Sequence, residues 1–228
     1  MAGNVLSSIN YGIYVVSSVK DGKYNGQIVN TVFQVSAEPP CVAVCLNKIN
    51  LTHEYIRAAK VFSVSILEKE APMLYIGKFG FKSGRDIDKF KDTKNKTGKT
   101  GAPVALDYAL GYFECEVISE TEALTHTIFL GKVVAEEKLA EGKEALTYEY
   151  YRQVKKGKSP ATAPTYVKEE RVSNTVGEIK TKGNYKCTVC DYIYEQGKDG
   201  NSLPFLELAK DWVCPVCKAG KDKFVKES

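Results

Sequence analysis

The 228-residue sequence lacks the features that mark membrane and exported proteins. It has no uninterrupted run of about 18 apolar residues. Its start, MAGNVLSSINYG, lacks the basic and then apolar order of a signal peptide. These absences predict a soluble cytoplasmic protein without membrane contact. A long basic run is also missing and the net charge is only +4, which argues against binding to nucleic acid.

Familiar nucleotide-binding motifs are absent as well. The sequence contains no GxGxxG motif, so a Rossmann dinucleotide-binding unit has no support. The tripeptide Gly98-Lys99-Thr100 looks like the end of a phosphate-binding loop, but the glycine required five positions earlier is replaced by Thr93. We therefore predict that residues 94–101 form an exposed turn.

Cysteine, in contrast, is present seven times, and four of the seven form two CxxC pairs. The paired residues are Cys187, Cys190, Cys214 and Cys217. Four thiolates in this spacing predict a tetrahedral cage for one metal ion, either a structural zinc or a redox-active iron. Cys41, Cys45 and Cys115 lie among apolar residues, and free thiols of this kind indicate a reducing cytoplasm.

Aromatic residues around the cage favour iron over zinc. Six of them occur between residues 185 and 224: Tyr185, Tyr192, Tyr194, Phe205, Trp212 and Phe224. The order YxCxxCxYxY, then PF, then DWVCPxC and KxxF resembles a rubredoxin over residues 184–228. The resemblance implies one iron ion on the four cysteines that carries one electron at a time. Rubredoxins usually place glycine after each CxxC, where φ is positive, whereas this sequence has Asp191 and Lys218.

The 183 residues before this module are rich in short β-type segments. Apolar and serine residues alternate in Val61–Leu67, as expected for a half-buried strand. The predicted strands cover residues 11–19, 27–36, 41–46, 61–67, 111–118 and 127–135. Short helices are predicted over 52–59, with Thr52 as the cap, and over 72–78. Many short strands and few helices predict a barrel.

Polar residues at the ends of these strands carry a second resemblance. The segments NGQIVNTVFQVS, PPCVAVCLNKINLTHEYI, VFSVSIL, GFKSGRDIDKF, HTIFLGKV and KGKSPATAPTY occur in an order that resembles the flavin reductase family over residues 5–168. The resemblance implies a split β-barrel that binds FMN or FAD. The expected fold class is therefore mainly β, with an FMN-binding split β-barrel followed by a small rubredoxin-like iron domain.

The resemblance also implies where the flavin binds. Its ring edge needs backbone hydrogen-bond partners, and its phosphate needs cations, hydroxyls or a helix N-terminus. The ring edge is predicted to meet Asn30, Thr31, Val32, Phe33, Gln34, Cys45, Leu46 and Asn47. The phosphate is predicted to meet Lys48, Thr52, Ser83, Arg85 and Lys89. An excess of positive charge in residues 1–183 suits such an anionic cofactor.

Three further side chains have predicted roles near the flavin. His126 precedes an apolar strand, at a position where the resembled family has a histidine near the flavin and the nicotinamide. Tyr166 follows a segment rich in proline and glycine that the resemblance places over the flavin. Each also has an ordinary structural interpretation, as a strand-end histidine and a surface tyrosine. His53, within the first predicted helix, has the weaker case for function.

The expected domains are residues 1–168 and 184–228, joined by a charged linker over 169–183. A nicotinamide gives up two electrons together, a flavin can release them singly, and one iron carries one electron. The fusion resembles the high-molecular-weight rubredoxins of anaerobes. It implies a homodimeric oxidoreductase that passes electrons from NAD(P)H, or from a partner reductase, through FMN and iron to an acceptor such as a diiron flavoprotein reducing oxygen or nitric oxide. The alternatives are a flavin reductase serving a separate oxygenase and a zinc-stapled FMN-binding interaction module.

Overall fold

The structure is a computed structural model that describes residues 5–155, 157–166, 185–190, 192–194 and 203–226. The chain divides into two compact units, Met1–Tyr166 and Val167–Ser228. The predicted linker over 169–183 lies outside the described residues, as does Asp191. No helix in the described ranges has both the length and the apolarity needed to cross a membrane.

The larger unit contains nine strands and three α-helices among its described residues. The strands are β1 (Tyr14–Lys20), β2 (Lys23–Val29), β3 (Val32–Ala37), β4 (Pro40–Asn47), β5 (Val61–Leu67), β6 (Asn95–Thr97), β7 (Pro103–Ala105), β8 (Ala109–Ala123) and β9 (His126–Lys138). The helices are α1 (Leu51–Ala59), α2 (Met73–Gly80) and α3 (Tyr148–Gln153). The strand-rich content agrees with the fold class predicted from the sequence.

Seven of these strands form one antiparallel sheet in the order β2-β1-β5-β8-β9-β4-β3. Strand β1 is buried on both faces, so Val15 and Val16 point into two different cores. The core that contains Val16 also contains Val29 from one end of the sheet and Val44 from near the other. The sheet must therefore curl around this core, as in a split barrel. The opposite core packs α2 and α3 against β1.

Two predictions about local structure are wrong. The predicted strand over residues 27–36 is two strands, because the chain leaves β2 at Asn30 and re-enters the sheet at its other edge as β3. The N-cap of α1 is Asn50, not Thr52. The hydroxyl oxygen Oγ1 of Thr52 instead accepts a 2.8 Å hydrogen bond from Nδ2 of Asn25, and the side chain is buried. The hydroxyl oxygen that would cap the helix is therefore the acceptor of a tertiary hydrogen bond from Asn25.

The predicted exposed turn over 94–101 is also more structured than expected. It contains β6, and its backbone is fixed by a buried carboxylate. Glu114 accepts hydrogen bonds from the amides of Lys99 and Thr100 at 2.9 and 2.8 Å. A side chain at Gly98 would collide with this carboxylate, since an added Cβ would lie 2.2 Å from one of its oxygens. Gly98 and Thr100 therefore have a structural role, because they allow and make the contacts with the carboxylate of Glu114.

A glycine in β9 allows the closest packing of the main core. A Cβ added to Gly131 would lie 2.6 Å from the ring of Phe62 and from Cβ of Cys115, both fully buried. We expect Gly131→Ala to lower the free energy of unfolding by about 1–3 kcal/mol, because overpacking forces these groups apart. Urea unfolding of the full chain measures this. Gly80→Ala is the control, since its Cβ would meet Ile28 at 3.4 Å and should cost little. Equal stability of the two variants would contradict the prediction.

The smaller unit is described over residues 185–190, 192–194 and 203–226. Its strands β10 (Tyr185–Cys187), β11 (Ile193–Tyr194) and β12 (Phe224–Lys226) form a sheet in the order β11-β10-β12. Its described apolar core consists of Tyr194, Phe205 and Leu208 with aromatic rings packed around them. Such a core is small, so the four cysteines are needed to complete the fold.

Candidate metal centre and flavin site

The four paired cysteines come together in a buried cluster. Their sulfur atoms all lie within 4.8 Å of one another. The Sγ atoms of Cys187 and Cys217 are 3.7 Å apart, and those of Cys190 and Cys214 are 3.6 Å apart. A regular tetrahedron with metal–sulfur bonds of about 2.3 Å places the sulfurs about 3.8 Å apart. The cluster therefore fits one tetrahedral metal ion.

Backbone hydrogen bonds hold the two cysteine loops in shape. In the second loop the amide of Lys218 donates to the carbonyl of Cys214 at 2.9 Å, and the amide of Cys214 donates to that of Ala219 at 2.8 Å. Lys218 has a φ of 60°, the left-handed conformation for which glycine is preferred. The turn predicted from the resemblance is present, although lysine occupies it at some conformational cost.

Hydrogen bonds between the thiols of this cluster shift their pKa values. Side-chain hydrogen bonds with Cys190 and Cys217 lower the pKa of Cys214. The same kind of hydrogen bond with Cys214 raises the pKa of Cys190. Metal ions bind thiolates, not thiols, so a lowered pKa at Cys214 favours metal binding.

The predicted aromatic shell is present beside the cluster. The ring of Phe205 stacks on Tyr185 with centroids 4.2 Å apart and meets Phe224 at 4.9 Å. Tyr194 and Trp212 approach the same ring edge-on at 5.4 and 5.7 Å. These rings supply the apolar mass that the small domain lacks in aliphatic residues, as the sequence predicted.

In the larger unit, several residues predicted for the flavin ring lie at adjacent strand ends. The amide of Cys45 donates to the carbonyl of Thr31 at 3.1 Å, which joins β4 to the segment between β2 and β3. Asn47 at the end of β4 is directly opposite His126 at the start of β9. The Oδ1 atom of Asn47 accepts from the amide of Ile49 at 3.2 Å. The fold therefore brings three separate predicted segments to one end of the sheet.

The other predicted ring contacts have mixed exposure. Phe33 on β3 is 54 % exposed, and Gln34 next to it is exposed as well. Val32 is partly buried against the main core, and Leu46 is fully inside it. The side chain of Leu46 therefore packs the core, which leaves only its backbone for any ligand.

The predicted phosphate residues fall into two groups. Lys48 and Arg85 line a surface cavity of 390 Å³ beside α1. The cavity is lined by Lys20, Lys48, Asn50, His53, Glu54, Arg57, Ala58 and Arg85. Its cationic side chains form ion pairs with acidic neighbours, such as Lys48 with Glu122 and Arg85 with Glu54. The Ser83 hydroxyl accepts from the amide of Arg85 at 3.1 Å.

Lys89 differs from these residues because its ammonium is inside the protein. The side chain is 4 % exposed and donates to the carbonyls of Gly26 at 2.9 Å and Phe79 at 3.1 Å. Burial lowers the pKa of Lys89 to about 7. We therefore leave Lys89 out of the proposed phosphate site.

The two histidines have different surroundings. His53 is buried, contacts Oγ1 of Thr127 through Nε2 at 2.9 Å and packs on the ring of Phe129. Burial lowers the pKa of His53, whose ring packs in the core and also borders the cavity beside α1. His126 is half-buried, and Nδ1 lies 2.9 Å from Oγ1 of Thr125. Its Nε2 lies 3.2 Å from the carbonyl oxygen of Thr162.

The segment that includes Tyr166 folds back onto this end of the sheet. Thr165 accepts a 2.8 Å hydrogen bond at Oγ1 from Nδ2 of Asn30. The Tyr166 amide donates to Ala163, and its side chain is 43 % exposed. Sequence reasoning selected this segment but missed Thr162 and Thr165. It also missed Lys20 and Arg57 beside the cavity. Arg57 lies four residues after His53 on α1, so helical periodicity could have indicated it.

Comparison with known proteins identifies the two domains and the family. Residues 6–157 match the family described as flavin reductase like domain, and residues 184–224 match rubredoxin. A high molecular weight rubredoxin of Moorella thermoacetica is 43 % identical, over 98 % of this chain and 99 % of its own length. The chain belongs to the high molecular weight rubredoxin family.

Two further similarities concern the first domain. A ferric-chelate reductase (NAD(P)H) of Archaeoglobus fulgidus is 46 % identical, over 69 % of this chain and 93 % of its own length. The solved FMN-binding protein of Thermus thermophilus matches with a TM-score of 0.57 and 26 % identity, over 62 % of this chain and 82 % of the other. A mainly β, flavin reductase-like domain and a rubredoxin domain with iron-binding cysteines therefore make an oxidoreductase.

Proposed function

We propose that this protein oxidises NAD(P)H at its first domain and delivers single electrons from its four-cysteine iron to an external acceptor protein. The observation that carries the proposal is the thiolate cluster itself, which fits one metal ion and belongs to the same chain as a flavin reductase-like domain. When bound, FMN would accept two electrons together and release them one at a time. The iron would then transfer single electrons to the acceptor protein.

The strand ends of the larger unit support a flavin at that position. Backbone groups near Thr31, Cys45 and Asn47 lie together and can pair with a polar ring edge. The adjacent exposed ring of Phe33 offers an apolar surface. FMN is proposed by analogy with the matched FMN-binding protein of Thermus thermophilus, and FAD is the alternative, because another matched structure is a Streptomyces globisporus NADH:FAD oxidoreductase.

The cavity beside α1 supports a phosphate subsite. Lys20, Lys48, Arg57 and Arg85 bring four cations to it, whereas only Glu54 among the lining residues is acidic. Each cation already has a carboxylate partner, which a phosphate would replace in part. Lys48 follows Asn47 directly, so the ring and phosphate groups belong to neighbouring segments.

The donor and the acceptor are proposed by analogy. A relative whose name includes NAD(P)H supports the nicotinamide, although a partner reductase can also load the flavin. The acceptor is proposed to be a diiron flavoprotein that reduces oxygen or nitric oxide. A homodimer is proposed because the outer edge of β3 presents Phe33 and Val35, each more than half exposed, and has no paired strand among the described residues.

Metal analysis and rapid mixing test the proposal together. The purified full-length protein should contain about one iron and one flavin per chain, with separable visible bands. Anaerobic mixing with NADH or NADPH should bleach the flavin band first and the iron band within the turnover time. Flavin bleaching with a persistent ferric band would contradict the proposed electron path. Zinc in place of iron would favour the alternative of a zinc-stapled FMN-binding interaction module. Rapid loss of reduced flavin to solution would favour the alternative of a flavin reductase that serves a separate oxygenase.

A further inference from the structure

Residues 157–166, called the strap below, lie against two side chains of the proposed flavin site. Nδ2 of Asn30 donates to Oγ1 of Thr165 at 2.8 Å. Nε2 of His126 lies 3.2 Å from the carbonyl oxygen of Thr162. These residues are separated by 135 and 36 positions in sequence, so both are tertiary contacts. The strap thus occupies the Nδ2 donor of Asn30 and the Nε2 atom of His126.

The root of the strap is firmly attached to α3. The hydroxyl of Tyr151 donates to the carbonyl of Lys158 at 2.8 Å, and Tyr148 and Ser159 share a hydrogen bond between their hydroxyls at 2.5 Å. Gly157 lies so close to Tyr151 that an added Cβ would be 2.1 Å from its ring. Both tyrosines are buried, which makes this end a fixed pivot.

The tip of the strap is held more weakly. Two turns shape it, with the Ala163 amide donating to Pro160 at 2.9 Å and the Tyr166 amide donating to Ala163 at 3.0 Å. Within the described part of the chain, its hydrogen bonds to other elements are those with Asn30 and His126. Each such bond contributes about fivefold to the closed population. A ligand with a modest preference for the open strap can therefore displace the tip.

The contact with Thr162 also fixes the proton on His126. A carbonyl oxygen can only accept, so Nε2 of His126 must carry the hydrogen and donate to Thr162. In the neutral ring, Nδ1 then accepts from the hydroxyl of Thr125. With the strap closed, neither ring nitrogen of His126 is available to a cofactor.

We propose that the strap is a latch over His126, which an incoming nicotinamide must open. This inference rests on the proposed function, because it takes the ligand to be the nicotinamide of NAD(P)H. Opening transfers the Nε2–H donor of His126 from Thr162 to the ligand, whose carboxamide offers the same kind of carbonyl acceptor. Asn30 and Thr165 are positioning residues that hold the latch closed, and they act on His126 through the strap.

Thr165→Val tests the latch, because it removes the acceptor from the strap while it keeps the side-chain shape. Full-length holoprotein is used throughout, with Thr165→Ser as the conservative control. We expect amide exchange at Ala163 and Tyr166 to rise about fivefold in the valine variant. The serine variant should match the wild type. Unchanged exchange in Thr165→Val would overturn the latch.

Nitrogen NMR of the histidine rings provides a readout independent of activity. The sequence has only two histidines, so His126 is assigned against His53. The wild type should show His126 as the Nε2–H tautomer, whereas Thr165→Val should show a mixture. His53 contacts Thr127, not the strap, and its signals should stay unchanged. A pure Nε2–H tautomer in Thr165→Val would contradict the assigned role of Thr162.

Steady-state kinetics then connects the latch to the ligand. The KM for NAD(P)H should fall by up to about fivefold in Thr165→Val with kcat unchanged, since less work is needed to open the strap. An unchanged or higher KM, with exchange and NMR altered as expected, would overturn the gating role. Absence of NAD(P)H oxidation in both proteins would overturn the proposed function, while exchange and NMR would still decide whether the strap latches His126.

Discussion

Replacement of Cys214 by serine is expected to abolish metal binding and to slow reduction of an external acceptor protein by at least about 100-fold. The four sulfurs fit one ion, and Cys214 supplies one of them. A serine hydroxyl is not ionised at neutral pH, so the cage loses a ligand and its charge. With a described core of only Tyr194, Phe205 and Leu208, the small domain should also lose its fold.

The first domain should remain active in the same variant. The two units are compact in themselves, and residues proposed for the flavin belong to Met1–Tyr166. Oxidation of NAD(P)H with a small artificial acceptor should therefore stay within about twofold of the wild type. Metal content, visible absorption and both activities are measured on the full-length protein.

Cys41→Ala is the matched control for this experiment. Cys41 is also a buried cysteine, but it lies on β4 of the larger unit and is not one of the four clustered cysteines. Its removal should leave the iron content unchanged. Normal acceptor reduction by metal-free Cys214→Ser would show that electrons leave directly from the flavin, and the proposed iron exit would be wrong.

The metal centre was predictable because its information is local. Two CxxC pairs and six aromatic residues in one short stretch specify both the ligands and the packing that surrounds them. Strand β5 was predicted with the bounds that the structure has, Val61–Leu67, but the prediction of a half-buried strand was wrong, because Ser63 and Ser65 are also fully buried. In both cases neighbouring residues carry the signal, so no long-range contact is needed to interpret it.

The break between β2 and β3 was not predictable from local sequence. β-forming residues continue on both sides of Asn30 and Thr31, so propensity alone favours one strand. The segment forms two strands because its halves pair with different neighbours. Strand β2 pairs with β1, whereas β3 pairs with β4. The prediction that Thr52 caps α1 was wrong for a similar reason. Its hydroxyl oxygen accepts a hydrogen bond from Asn25, which lies 27 positions earlier in the sequence.

Lys89 shows most clearly how burial can reverse a sequence interpretation. A lysine within the polar segment GFKSGRDIDKF is expected to be a solvated cation, and it was predicted to bind phosphate. Its position depends on Gly26, which lies 63 residues earlier and accepts its hydrogen bond inside the protein. A neutral amine has two N–H groups, which match the two carbonyl acceptors that the structure provides.

Lys89→Met is expected to remove a pH dependence of stability that the wild type should show. Burial lowers the pKa of Lys89 from 10.5 to about 7 in the folded protein. Between these values the unfolded chain binds the proton and the folded chain does not, so stability increases as pH rises. From pH 7 to 9.5 the wild type should gain roughly 3 kcal/mol more than the variant. Urea unfolding at both pH values, followed by circular dichroism, measures the difference.

Lys78→Met is the control, because it removes a neighbouring cation that is only half-buried and donates to Thr93 at 2.9 Å. The free energy of unfolding of Lys78→Met should rise with pH as in the wild type, because this variant keeps Lys89. The same rise in Lys89→Met would mean that Lys89 keeps its proton in the folded protein. If that variant also bound FMN more than about tenfold more weakly, Lys89 would have to open toward the ligand, and its assignment to the phosphate site would be restored.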